Sequence, residues 1–205
     1  MKENKVSKKA LLIKTVFGLY CLATDAFILR NVYLHLGMNT MNDFLTHTVY
    51  LCLGTNLGEK KTNLNVAIDW INLWCGSVKH ASGIYKSAAW GYESMNEFYN
   101  QCLEIKTELN PELLLEKLLL IENNMGRDRI SDSYIDRIID IDILLYEDLL
   151  MVTDKLILPH PRMAARRFVL APMVDLAPDL LHPVLGKTME RLLKECMDEG
   201  IVERV

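Results

Sequence analysis

The sequence predicts an α+β fold, a ferredoxin-like βαββαβ sandwich in which an antiparallel sheet has helices packed on it, followed by a C-terminal extension. Three observations carry that expectation. From Thr48 onward the hydrophobic pattern changes between strand and helix periods in the order strand, helix, strand, strand, helix, strand. The second helical stretch has an explicit start at Asn110-Pro111, and the two helical stretches run into Gly76 and Gly126. The last strand, Arg137 to Tyr146, is rich in isoleucine yet carries Asp140 and Asp142.

Taken in order, residues 1–46 do not share the character of the rest. Four lysines precede an apolar stretch, Leu11 to Leu36, broken by Lys14, Asp25 and Arg30, which is too interrupted for a membrane span. A signal peptide ending near Ala23, an amphipathic extension, or a later start at Met38 or Met41 are the readings it admits. Residues 47–205 are expected to form the functional domain, with 1–46 an extension outside its core. Thr48 to Leu53 is a buried strand stopped by Gly54-Thr-Asn-Leu-Gly58, a weak candidate for a phosphate loop. From Glu59 a helix shows Leu64, Ile68 and Ile71 on one face. Val78 to Tyr85 is expected as one strand, Lys86 to Met95 as a loop, and Phe98 to Thr107 as a strand. The helix that begins at Asn110 places Leu114, Leu118, Ile121 and Met125 on its core face. A loop with Arg127, Arg129 and Arg137 leads into the last strand. Beyond it lie Pro159-His160-Pro161, a basic cluster with Arg166 and Phe168, a Pro-punctuated segment from Met173 to Leu181, and a surface helix from Lys187 to Met197.

Side chains alternate across a strand, so Asp140 and Asp142 share one face and Ile139, Ile141 and Ile143 the other. Paired carboxylates raise each other's pKa, and a divalent cation removes that penalty. Hard oxygen ligands suit Mg²⁺, which leaves its other positions to water and phosphate. The alternative is an edge strand with two solvated aspartates. The arginines on either side favour a metal-bound polyphosphate, because Arg forks bind the oxygens a metal leaves free; the alternative there is a solvated loop balanced by Asp128, Asp132 and Asp136.

Gly54-Thr-Asn-Leu-Gly58, Phe98-Tyr-Asn100, Glu122-x-x-x-Gly126-Arg127-x-Arg129, Arg137-x-x-Asp140-Ile-Asp142 and Leu158-Pro-His160-Pro-Arg-Met163 together resemble the 6-hydroxymethyl-7,8-dihydropterin pyrophosphokinases of folate biosynthesis. The likeness covers about residues 48–185. It implies an ATP-binding transferase that moves pyrophosphate to a pterin alcohol, by in-line attack of the hydroxyl on the β-phosphorus with AMP leaving. It further implies two Mg²⁺ ions on Asp140 and Asp142, and Arg127 and Arg137 beside the transferred phosphates. Arg129, His160 and Arg166 would contact ATP, as would Glu122 if it is not purely structural. Phe98 and Phe168 would stack on the pterin, Asn100 would bond its polar edge, and Trp90 would lie in the loop over the ring. Two departures stand out: Tyr134-Ile135-Asp136 replaces the Trp-Gly-Pro found in many members, and Phe98 stands where Tyr is common.

Composition fits that expectation and narrows the rivals. Of 205 residues, 50% are hydrophobic and 24% charged, an ordinary globular balance, and the net charge of −4 disfavours a nucleic-acid partner. Five cysteines without a CxxC pair suit a reducing compartment, and a cytoplasmic monomer without a membrane partner is expected. A nucleotidyltransferase on a similar sheet would need a third carboxylate on a neighbouring strand, where only Glu104 is available. A small-ligand regulatory module would have no need of an acidic pair facing two arginine clusters.

Overall fold

Two surfaces of one sheet, each apolar in a different register, decide the architecture. The structure, a computed structural model, describes residues 46–126 and 136–205; the expected extension, apart from Thr46, and the arginines at 127 and 129 lie outside the described residues. In chain order the elements are β1 (His47–Thr55), α1 (Lys60–Trp74), β2 (Ser77–Ala81), β3 (Tyr85–Ser87), β4 (Phe98–Thr107), α2 (Pro111–Asn124) and β5 (Asp140–Tyr146). A hairpin, β6 (Met151–Val152) and β7 (Ile157–Leu158), precedes α3 (Arg167–Leu176), α4 (Met189–Glu195) and β8 (Val202–Arg204). The sheet order is β5-β1-β4-β3-β8, with β2 also paired to β4, and every pairing is antiparallel.

Val49, Leu51 and Leu53 of β1, Leu103 and Ile105 of β4, and Ile141 and Ile143 of β5 join one buried cluster with Leu64, Ala67 and Ile71 of α1 and Leu114, Leu118 and Ile121 of α2. Burying each such leucine or isoleucine is worth about 1.5–3 kcal/mol relative to exposure, so this layer supplies much of the stability. α2 begins as expected: the Asn110 side chain accepts from the Leu113 N–H at 2.9 Å and Pro111 occupies the first turn. α1 ends at Gly76, whose φ of 145° and close approach to the Lys106 carbonyl leave no room for a Cβ. Tyr50, Cys52 and Cys102 join a second cluster with Val169, Leu170 and Met173 of α3 and Met189 and Leu192 of α4. The C-terminal extension is therefore a second helical layer.

Two expectations need correction. Val78 to Tyr85 is not one strand but β2 and β3: Ala81 pairs with Leu103 and Tyr85 with Asn100, so three residues, 82–84, lie against two, 101 and 102. The irregularity is held by Ser82, whose N–H donates to the Cys102 carbonyl while its hydroxyl accepts from the Cys102 N–H. The end of the basic cluster and the start of the Pro-punctuated segment, Met173 to Leu176, together form α3, a helix that was not expected there. Pro172 lies inside it and cannot donate to the Phe168 carbonyl, but the apolar face made by Val169, Leu170 and Met173 outweighs that loss. No helix among the described residues is long and apolar enough to cross a membrane.

Candidate active site

Register brings the chemistry together. Gly54 of β1 lies opposite Asn100 of β4 and Asp140 of β5; two residues earlier, Cys52 lies opposite Cys102 and Asp142. Directly opposed residues share a face, so the aspartate pair and the Asn100 amide flank a residue without a side chain. A Cβ on Gly54 would stand 3.3 Å from the Asn100 Oδ1 and 3.7 Å from the Phe98 ring. Gly54 thus serves close approach in a strand, and the expected phosphate-loop reading of the glycine pair finds no support in its position.

Fourteen residues line a cleft of about 200 Å³ here. Asp140, Asp142, Arg137 and Arg166 form its charged side, and Trp90, Phe98, Asn100 and Phe168 its ring-sized side. Arg137 Nη1 is 3.3 Å from Asp140 Oδ2, and its guanidinium lies 5.6 Å from the centre of the Phe98 ring. Its Nε is buried and has no acceptor among the described residues, a donor set aside for an anion. Arg166 Nη1 is 3.6 Å from Asp142 Oδ2, and its guanidinium lies 4.8 Å from the Trp90 ring centre and 5.6 Å from that of Phe168. The two aromatics help hold this arginine beside Asp142. Asn100 is buried, and its amide donates to the Ser87 hydroxyl at 2.9 Å, which fixes the orientation of the side chain.

His160 and Glu122 stand apart from that lining. The His160 N–H donates to the Leu144 carbonyl at the end of β5, and Nδ1 accepts from the Arg162 N–H at 3.2 Å. Nε2, 3.9 Å from Asp142 Oδ2, therefore carries the ring proton. Burial first, and then the Arg166 and Arg162 charges, lower its pKa to about 4, so at neutral pH the contact with Asp142 is not an ion pair. Glu122, expected on the nucleotide side, is buried in α2, where its carboxylate accepts the Ile141 N–H at 2.7 Å. That N–H belongs to the outer edge of β5, so Glu122 acts on the strand that carries the aspartates. A nucleotide contact for Glu122 has no support in this position.

Ser87 and Tyr92 of the site were not singled out from sequence, Gly54 and Arg162 entered only as members of motifs, and the polar knot around Asp136 was not foreseen. The Asp136 Oδ1 accepts from Asn56 Nδ2 at 2.6 Å, the Ser94 hydroxyl at 2.7 Å and the Tyr92 hydroxyl at 3.1 Å, while Oδ2 accepts from Asn96 Nδ2 at 2.6 Å. Hydrogen bonds from Ser94 first, and then from Asn96, hold its pKa down at about 2. Asn56 also clamps the neighbouring backbone: its Oδ1 accepts the Arg137 N–H at 2.7 Å, and its own N–H donates to the Arg137 carbonyl at 3.1 Å. The one available sequence signal was Asp136 itself, a carboxylate where proline is common in the resembled family.

Comparison with known proteins gives a consistent set. The family model for 7,8-dihydro-6-hydroxymethylpterin-pyrophosphokinase matches residues 50–178. The chain is 36% identical over 148 residues to the 2-amino-4-hydroxy-6-hydroxymethyldihydropteridine pyrophosphokinase of Aquifex aeolicus, covering 72% of this chain and 91% of that one. It is 40% identical over 133 residues to the protein of the same name from Bacillus subtilis, covering 64% and 79%. It is also 35% identical over 160 residues to the folic acid synthesis protein fol1 of Pneumocystis carinii, of which it spans only 22%. Among solved structures it resembles Plasmodium falciparum HPPK-DHPS with pteroate, at a TM-score of 0.62 and 17% identity over 73% of this chain and 44% of that one, a likeness of fold.

Proposed function

Because the chain belongs to the 7,8-dihydro-6-hydroxymethylpterin-pyrophosphokinase family, we propose that it transfers pyrophosphate from ATP to the hydroxymethyl group of 6-hydroxymethyl-7,8-dihydropterin, giving AMP and the pterin diphosphate for folate biosynthesis. The observation that carries this reading is the row Asp140, Gly54, Asn100 across three strands, with charge on one side and a flat-ring wall on the other.

Asp140 and Asp142 would hold Mg²⁺, taken here as two ions. The donor set fits: two carboxylates line one cleft, which suits a cation that keeps water and phosphate as its other ligands. When bound, the metal supplies charge neutralisation and Lewis acidity at the phosphate oxygens. The protein's own residues position the reactants. Arg137, with a buried unsatisfied Nε, binds phosphate oxygens, and Arg166, stacked between Trp90 and Phe168, spans the phosphate and ring sides. Neutral His160 donates through Nε2–H, and Arg127 and Arg129, outside the described residues, are assigned to the phosphates by the family resemblance alone. Phe98 and Phe168 stack the ring, and Asn100 reads its polar edge. The hydroxyl oxygen then forms its bond to the β-phosphorus as the bond to the AMP oxygen breaks, a reaction in which positioning contributes most of the rate.

Calorimetry of Asn100→Ala tests the pocket. Pterin affinity is expected to fall roughly ten- to a hundredfold, as removal of a buried polar contact costs about 1–3 kcal/mol, with ATP affinity unchanged. Equal loss of both ligands would refute the assignment.

A further inference from the structure

We propose that Asp136 is a positioning residue whose carboxylate ties the 88–97 segment, with Trp90 and Tyr92, to the backbone of Arg137, so that the ring wall and the phosphate-binding arginine are set by a single latch. The proposal rests on the pyrophosphoryl-transfer reading only for the identity of the two ligands.

Four donors converge on this carboxylate from two stretches remote in sequence: Asn56 after β1, and Tyr92, Ser94 and Asn96 before β4. Charge-assisted bonds of this kind are about twice as strong as neutral ones, and the carboxylate accepts from all four donors at once. The two ends of the latch reach the substrate side by different routes. The Tyr92 hydroxyl is fixed on Asp136, which holds the Tyr92 ring edge-on to Phe98 at 6.5 Å and 87°. Asn56 is oriented by donating to Asp136, which leaves its Oδ1 aimed at the Arg137 N–H. Arg137 in turn lies over the Phe98 ring and against Asp140. Phe98 is thus gripped by Tyr92 and by Arg137, and both are referred to the same carboxylate. Removing it loosens the Asn56 side chain, which weakens its hold on the Arg137 N–H while the Asn56 N–H still donates to the Arg137 carbonyl, and frees the Tyr92 ring.

Two readouts test this in Asp136→Ala, Asp136→Asn and Tyr92→Phe. Amide hydrogen exchange of the free protein is expected to quicken about tenfold at Arg137 and Asn96 in Asp136→Ala, because each lost polar anchor is worth roughly 1–3 kcal/mol. Asp136→Asn keeps the shape and turns an acceptor into a donor facing Asn96, so it is expected to show the same change to a smaller degree. In turnover, kcat is expected to fall and pterin KM to rise, each by about tenfold, with ATP KM shifted less than about threefold; Tyr92→Phe should raise pterin KM alone. A lower melting temperature with wild-type exchange at Arg137 and wild-type kinetic constants would mean a merely structural carboxylate and overturn the proposal. If the wild type forms no AMP, the reaction assignment fails on its own; faster exchange in Asp136→Ala would still support the latch, and unchanged exchange would still overturn it.

Discussion

At the scale of single residues, the site separates charges that must persist from groups that must stay neutral. Asp136, like any aspartate, is ionised in the physiological range, and its donors push its pKa further down, to about 2, whereas His160 is kept neutral by burial and two arginines. The depressed carboxylate has a consequence for stability. A folded-state pKa below the ordinary value of about 3.9 means a contribution fully present above that value and lost as pH falls towards 2. Urea unfolding of the wild type and Asp136→Asn is therefore expected to differ most at pH 6 and to converge near pH 2. A difference independent of pH would contradict the assigned hydrogen bonds.

At the scale of elements, β1 is the organising strand, since it alone pairs with both β4 and β5. One face of it is apolar and closed by α1 and α2; the other carries Gly54 between Asn100 and Asp140. Gly54→Ala is expected to leave the melting temperature near that of the wild type and to lower pterin affinity about tenfold, because a Cβ 3.3 Å from the Asn100 Oδ1 pushes aside a buried amide. Unchanged affinity would show that the gap at Gly54 is not used. Much of this was legible in sequence. The caps of α2, the period-two pattern of β4 and the alternation of Asp140 and Asp142 against the isoleucines are local signals, and each element formed there, although β5 begins at Asp140 and not at Arg137. The break between β2 and β3 was not legible, because it depends on Ser82 bonding the Cys102 backbone from a distant strand. Nor was α3, where Pro172 argues locally against a helix and only the second face of the sheet makes it worthwhile. The Asp136 knot joins three separate stretches and has no sequence period at all.

At the scale of the molecule, the matched span of residues 50–178 covers the sheet from β1 to β5, both helices of the first layer and α3. Sequence motifs and fold therefore coincide on the same stretch of chain. The chain spans about a fifth of the Pneumocystis carinii relative and nine-tenths of the Aquifex aeolicus one, so the site described here corresponds to a unit found both within longer proteins and nearly by itself. The central claim is that Asp140 and Asp142 serve a metal-assisted transfer of pyrophosphate to a pterin alcohol. It is tested most directly by following AMP from ATP and 6-hydroxymethyl-7,8-dihydropterin, with and without Mg²⁺, in the wild type, Asp140→Ala and Asp142→Ala. AMP and pterin diphosphate are expected in equal amounts only with Mg²⁺, with a loss of at least about a hundredfold in either folded variant. ADP in place of AMP, or wild-type turnover in either variant, would contradict it.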